Sequence, residues 1–156
     1  MSTIHPREVN KACLSNKENK KTIIHYIQPH YPYLSYKEVY ASPKEGYFKF
    51  LLNNIFQPSF RLITLQYILS LFSSKFQLSL VERVYLEIGI DSLYYYYEDN
   101  LRIVLKNVLQ LIEELNGKTI ITTDHGEAFG EQGIWGHLLE THIPVLIEVP
   151  WFEVKI

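Results

Sequence analysis

The sequence predicts an α/β layered fold with a mainly parallel sheet flanked by helices, on three observations. Two apolar, β-branched runs, Thr22 to Ile27 and Lys118 to Thr123, have the length and composition of buried strands. A long amphipathic helical pattern starting at Asp91 leads into the second of them. A further apolar run, Val145 to Val149, follows and is stopped by Pro150. Strand, helix and strand joined by long crossovers imply parallel pairing with helices on the faces.

The elements follow in order. Pro6 to Leu14 reads as a short helix with proline in its first turn. Thr22 to Ile27 is nearly apolar throughout, which suits an interior strand. Gln28-Pro29-His30-Tyr31-Pro32-Tyr33 holds two prolines that fix it as an extended loop. From Ser35 to about Glu87 the pattern is helical but broken at Pro43, Gly46 and Pro58. Residues 35–90 are therefore expected to supply two or three helices that cap or flank the sheet. In the long helix, Leu101, Val104, Leu105, Val108, Leu111, Ile112 and Leu115 form one apolar stripe. Arg102, Lys106, Gln110, Glu113 and Glu114 face water, and Asn116-Gly117 supplies the carboxyl-terminal cap. The tyrosines at 94–97 read as the packed, amphipathic entry of that helix; a stacking platform for a sugar or base is the sharper alternative.

Composition narrows the function classes. A chain of 156 residues, 47% hydrophobic and 21% charged, is expected to form a single unit over residues 1–156 with enough apolar material for a core. Net charge is −2, and the Lys17 to Lys21 run, broken by Glu18 and Asn19, is a solvated helix end, so nucleic acid is not an expected partner. Cys13 is the only cysteine, which excludes an intrachain disulfide and a thiolate metal cluster. The amino terminus lacks the apolar core of a signal peptide. The most apolar stretch, Leu62 to Phe72, is too short to span a bilayer. A reducing, cytoplasmic setting is the expectation.

The chemistry concentrates in Thr122-Thr123-Asp124-His125-Gly126-Glu127, followed by Gly130-Glu131-Gln132-Gly133 and Gly136-His137. The first strand end delivers a carboxylate and an imidazole, glycines turn the backbone, and a second imidazole returns twelve residues after the first. Carboxylate plus imidazoles is a ligand set for zinc, manganese or a similar divalent ion. Asp-His-Gly is also acceptable turn chemistry, but an acid and an imidazole leaving a buried strand are costly unless something binds them. His30 sits on a stiff proline loop directly after a strand, which lowers the entropy cost of placing it. Glu127 and Glu131 are candidates to orient ligating histidines, or to cap the next turn. His142 is balanced between a substrate contact and a loop hydrogen bond, His25 reads as a satisfied core residue, and His5 carries no expected role.

Taken together, Thr22 to Tyr33, Tyr97-Glu98-Asp99-Asn100-Leu101-Arg102, Thr122 to Glu131 and Trp135-Gly136-His137 resemble the alkaline phosphatase superfamily. Within it, the chain is most similar to archaeal sulfatase-like hydrolases, with Val149-Pro150-Trp151 fitting the end of the pattern. The spacing from His125 to His137 is also similar to that in lipid A phosphoethanolamine transferases. The resemblance covers most of the chain, Pro43 to Glu87 least, and is specific at superfamily level only. It implies part of a three-layer alkaline-phosphatase-like fold, with Asp124 and His125 as metal ligands. His30 and His137 would hold a second metal or the oxygens of a transferred phosphoryl or sulfuryl group, with His142 nearby as a substrate contact. It further implies a metal-dependent hydrolase of phosphate or sulfate esters, or a phospho-group transferase.

The pattern departs from that family in one respect. Neither the family's early metal carboxylate nor its nucleophile is recognisable upstream of Thr22, where only Ser2, Thr3, Cys13 and Ser15 offer hydroxyl or thiol groups. Cys13-Leu14-Ser15-Asn16-Lys17 lacks the formylglycine pattern. The expected partner is thus an amino-terminal half bearing the nucleophile, with one sheet edge left unpaired and apolar. The alternatives are a non-catalytic module that binds a metal or an anion, and a gene remnant that does not fold alone.

Overall fold

A computed structural model of the chain describes residues 3–16, 21–36, 65, 68–69, 78–137 and 140–155. Helix α1 (Pro6–Ser15) opens as the sequence predicts, with Pro6 in the first turn and His5 as its N-cap. The His5 Nδ1 atom accepts from the Arg7 N–H at 3.1 Å, so this histidine does have a role, a structural one. Helix α2 (Leu80–Ile88) starts on a capping box: Ser79 Oγ accepts from the Glu82 N–H, and the Glu82 carboxylate accepts from the Ser79 N–H at 2.6 Å. Gly89, at φ 79°, ends it, and helix α3 (Ile90–Ile112) begins at the next residue. Strand β1 (Lys118–Thr122), strands β2 (Ala128–Phe129) and β3 (Trp135–Gly136), helix α4 (Pro144–Ile147) and strand β4 (Trp151–Lys155) complete the order.

A mainly parallel sheet flanked by helices is not what forms, and the three-layer arrangement implied by the family resemblance is overturned with it. Among the described residues there are two separate two-stranded sheets, β1 with β4 and β2 with β3. The β2–β3 pair is antiparallel. In the other pair, Lys118 meets Glu153 at 2.9 Å near one end and the Thr122 hydroxyl donates to the Pro150 carbonyl at 2.8 Å near the other, which is again an antiparallel order.

Two of the expected strands account for the difference. Thr22 to Ile27 is extended but lies in no strand among the described residues, and Ile23 is 96% exposed. Alternate residues, Ile24 and Tyr26, turn inward, and the Tyr26 hydroxyl donates to Asn10 Oδ1 at 2.6 Å. A side-chain hydrogen bond holds this segment where a ladder was expected. Val145 to Val149 is mostly helical, because Pro144 occupies the first helical turn, where its fixed φ favours a helix start. Pro150 therefore precedes the last strand instead of ending one. A short apolar run does not distinguish strand from helix by periodicity alone, and here the flanking prolines decided. The expected strand at 118–123 does form as β1, yet with Ile120 exposed and only alternate residues half-buried. The helices expected between Ser35 and Gln77, the Lys17 to Lys21 run and most of Leu62 to Phe72 lie outside the described residues, apart from helical Leu65, Ile68 and Leu69 and solvent-facing Lys21. Among the described residues no helix is long and apolar enough to cross a membrane.

The chain divides into two compact units. The first comprises Met1–Glu38, Tyr94–Ile121 and Trp151–Ile156. Its core runs along α3, where Asn100, Val104, Asn107 and Leu111 are buried at alternating four- and three-residue spacing. Two of these are asparagines, whereas Leu105 of the expected stripe is exposed. Asn100 is 0% exposed. Its amide nitrogen donates to the carbonyls of Pro29, His30 and Pro32 at 3.3, 3.1 and 3.4 Å, and its oxygen accepts from the Leu34 N–H at 2.8 Å. The Asn10 amide donates to the Asn107 carbonyl at 2.7 Å, which ties α1 to α3. Tyr96 packs against Tyr33 and Tyr36, while Tyr94 and Tyr95 are exposed. β4 exposes Trp151 and Phe152.

The second unit comprises Val39–Leu93 and Thr122–Pro150. Val81, Val84 and Tyr85 of α2 are buried, and Tyr85 stacks on Trp135 of β3 with ring centroids 4.4 Å apart. Ala128, Ile143 and Leu146 form a small cluster against which Ile134 and Val145 pack.

Two outcomes are expected. Asn100→Asp keeps the acceptor for Leu34 but turns a carboxylate oxygen toward three carbonyl oxygens. It should destabilise the chain by about 3 kcal/mol, at the upper end for a lost buried donor, as read by denaturant unfolding. Tyr26 has its pKa pushed up to about 12 by burial, with a smaller contribution from Cys13. An unfolded tyrosine ionises near ~10. Above that pH the unfolded state binds fewer protons than the folded state, so stability present below pH ~10 is lost as pH rises toward about 12. Melting temperature should fall across that window, and fall less steeply in Tyr26→Phe; Tyr85, also raised by burial, contributes the remaining slope.

Candidate metal centre

The backbone that leaves β1 is clamped before it reaches its functional side chains. The Gly126 N–H donates to the Leu146 carbonyl at 3.0 Å. A Cβ on Gly126 would lie 1.8 Å from the Val145 carbonyl oxygen, so only glycine fits there. This close approach fixes the positions of His125 and Glu127 on either side.

The β2–β3 hairpin then returns the second imidazole. Its register pairs Ala128 with Gly136 and Phe129 with Trp135. One further step in the same register sets Glu127 opposite His137. The turn closes through Gly130, at φ 108°, whose N–H donates to the Ile134 carbonyl at 2.9 Å. The Glu131 carboxylate accepts from the Phe129 N–H, and Glu131 itself is exposed. The twelve-residue interval between His125 and His137 is therefore the length of a short hairpin with its approach.

The two imidazoles meet with ring centroids 4.3 Å apart and planes inclined by 34°. Each offers a ring nitrogen within 4.8 Å of the other's. His125 Nδ1 lies 2.8 Å from the Gly126 carbonyl oxygen. A carbonyl can only accept, so that nitrogen carries the hydrogen, and it is Nε2 that carries the lone pair in the neutral ring. Nε2 is 4.0 Å from Asp124 Oδ1, and the Asp124 side chain is 66% exposed. His137 Nδ1 lies 3.5 Å from Glu127 Oε1, and the Glu127 side chain is only 3% exposed. A carboxylate beside the distal nitrogen of an imidazole is the usual support of a metal-ligating histidine.

The types of donor gathered here are those a divalent ion takes. Two imidazole nitrogens and a carboxylate oxygen make the mixed N/O donor set of zinc or manganese, whereas calcium would want oxygens throughout. Tetrahedral zinc places neighbouring donors about 3.3 Å apart. The His125 Nε2–Asp124 Oδ1 separation of 4.0 Å, and the His125–His137 nitrogen separation of up to 4.8 Å, are wider than that value.

The predicted site residues are distributed unevenly. Asp124, His125, Glu127 and His137 are gathered at the base of one hairpin in the second unit. Glu131 belongs to the hairpin turn. His142 is exposed in the segment before Ile143. His30 belongs to the first unit, where it is half-buried in the loop that Asn100 grips. His25, read from the sequence as a core residue, is exposed, because Ile24 and Tyr26 take the inward positions of that extended segment. Sequence reasoning passed over Gly126, although a glycine between two polar candidates is itself a sign of close backbone approach.

Gly126→Ala should displace the Val145–Leu146 backbone and destabilise the chain by roughly 3 kcal/mol, at the high end for overpacking. Gly117→Ala, where nothing lies within 4 Å, should cost only the strain of its φ of 100°. Urea unfolding of the two variants side by side checks the difference. No protein-family model, curated protein or solved structure matches this chain.

Proposed function

We propose that the chain binds a divalent metal ion, zinc or manganese, through Asp124, His125 and His137, and that this centre serves cleavage or transfer of a phosphate or sulfate ester. One observation carries the metal reading: His125 and His137 face each other at 4.3 Å beside the Asp124 carboxylate, with the buried Glu127 carboxylate against the rear nitrogen of His137. The ester chemistry rests on the motif resemblance to sulfatase-like hydrolases. The same resemblance adds His30 and, as a substrate contact, His142 to the proposal.

The chain's own residues divide the work. His125 and His137 present ring nitrogens, Asp124 supplies a carboxylate oxygen, and Gly126 and the hairpin hold them in place. When bound, the ion would act as a Lewis acid toward an ester oxygen and lower the pKa of an attacking hydroxyl. The nucleophile would come from an amino-terminal half, which makes that half the proposed partner.

Elemental analysis and titration calorimetry test the proposal. About one zinc or manganese ion per chain is expected. His125→Ala and His137→Ala should each weaken binding at least ~10-fold, and His30→Ala measures that residue's share. Metal at a hundred times its Kd should stabilise the fold by about 2.7 kcal/mol, and chelation should remove that gain. Joined to the coding segment that precedes it, the chain should cleave aryl phosphate, phosphodiester or sulfate esters in a metal-dependent way. Stoichiometric metal without cleavage in that joined protein would leave a binding module and refute the enzymatic reading.

A further inference from the structure

We propose that helix α2 is the template that places His137, with Tyr85 as its positioning residue. The inference rests on the metal reading above and adds to it what brings the second imidazole to the first.

The two imidazoles are held by different means. His125 precedes Gly126, whose N–H donates to the Leu146 carbonyl at 3.0 Å. Two residues further on, Ala128 is buried in the cluster with Ile143 and Leu146. That side of the hairpin is pinned by main chain and core alike. His137 follows directly on β3, and its side chain is 52% exposed. Packing around its own ring therefore does little to place it, and its position follows from the two residues before it.

Both of those residues meet α2. Trp135 and Tyr85 are buried, and their rings stack with centroids 4.4 Å apart and planes inclined by 30°. Gly136, at φ 76°, redirects the chain between Trp135 and His137. Val81 Cγ2 lies 3.8 Å from the point that a Cβ on Gly136 would occupy. Val81 and Tyr85 are four residues apart, one above the other on the same helix face. One face of α2 thus runs along β3, with a ring against Trp135 and a methyl beside Gly136. The helix is itself fixed, by the Ser79–Glu82 capping box at its start and by the buried Val84 and Leu86. A hairpin two pairs long does not hold its own register. A slip by one residue would carry the Trp135 ring off Tyr85 and turn the imidazole with it. Large stacked rings admit one alignment where a flat apolar surface would admit several. Tyr85 therefore acts on the metal centre through Trp135 and the chain direction that Trp135 fixes.

The test uses the full chain and Co(II) as the metal probe. Tyr85→Leu keeps an apolar side chain and removes the stack. It should weaken Co(II) binding roughly 2- to 30-fold, the range for a residue that acts on a ligand through others. Tyr85→Phe retains the ring and should bind as the unaltered chain does. Val104→Ala, which truncates a buried residue of α3 in the first unit, should lower stability without changing Co(II) affinity. Unchanged affinity in Tyr85→Leu, equal losses in Tyr85→Phe and Tyr85→Leu, or an equal loss in Val104→Ala would each overturn the inference. If Tyr85→Leu fails to fold, Val81→Ala decides: it too should weaken Co(II) binding, and unchanged affinity refutes the template. Nuclear Overhauser contacts between the rings of His125 and His137 give a readout without metal. They should be present in the unaltered chain and in Tyr85→Phe and lost in Tyr85→Leu; their persistence in Tyr85→Leu overturns the role of Tyr85. An unaltered chain that binds no Co(II) defeats the proposed function itself, and the ring contacts then still judge the positioning.

Discussion

The candidate centre depends on the register of a hairpin only two residues long on each side. Ala128 against Gly136 is the pairing that sets Glu127 opposite His137, and a slip by one position would turn the imidazole to the other face. Such a short ladder is not stable by itself. Its support comes from packing: Trp135 stacks on Tyr85 of α2, and Ala128 is sealed against Ile143 and Leu146. The chemistry of the site is therefore secured by an aromatic stack and an apolar cluster that contain none of its polar atoms.

Parts of this arrangement were legible in the sequence because they depend on local physics. α1, α3 and β1 follow from a proline at a helix start, from 3.6-residue periodicity and from β-branched residues, and they lie close to where those signals put them. The approach of His137 to His125 was legible for a similar reason, since glycines at 126, 130, 133 and 136 mark a tight return of the chain. The sheet was not legible. Pairing is a long-range property, and neither Thr22 to Ile27 nor Val145 to Val149 contains anything that says which strand, if any, will accept its hydrogen bonds.

The buried asparagines show the limit from the other side. A stripe read by hydrophobicity includes Leu105 and passes over Asn100 and Asn107, although the structure buries both asparagines and exposes the leucine. Their burial is sustained by partners in distant parts of the chain: Asn10 for the Asn107 carbonyl, and the 29–34 loop for Asn100. A polar residue can sit inside only when its partners are in place. Periodicity carries no information about those partners, so the reading favoured the wrong residue.

The hydrogen bonds by which Asn100 grips its loop go to the main chain, to three carbonyls and one N–H. Shape and chemical content are thereby less tightly coupled at position 30 than at Tyr33, which is buried against Tyr96. The imidazole at 30 could be exchanged for another group while the path of the chain stayed as it is. Evolution, or a designer, is offered a socket whose fitting can be changed without rebuilding the wall.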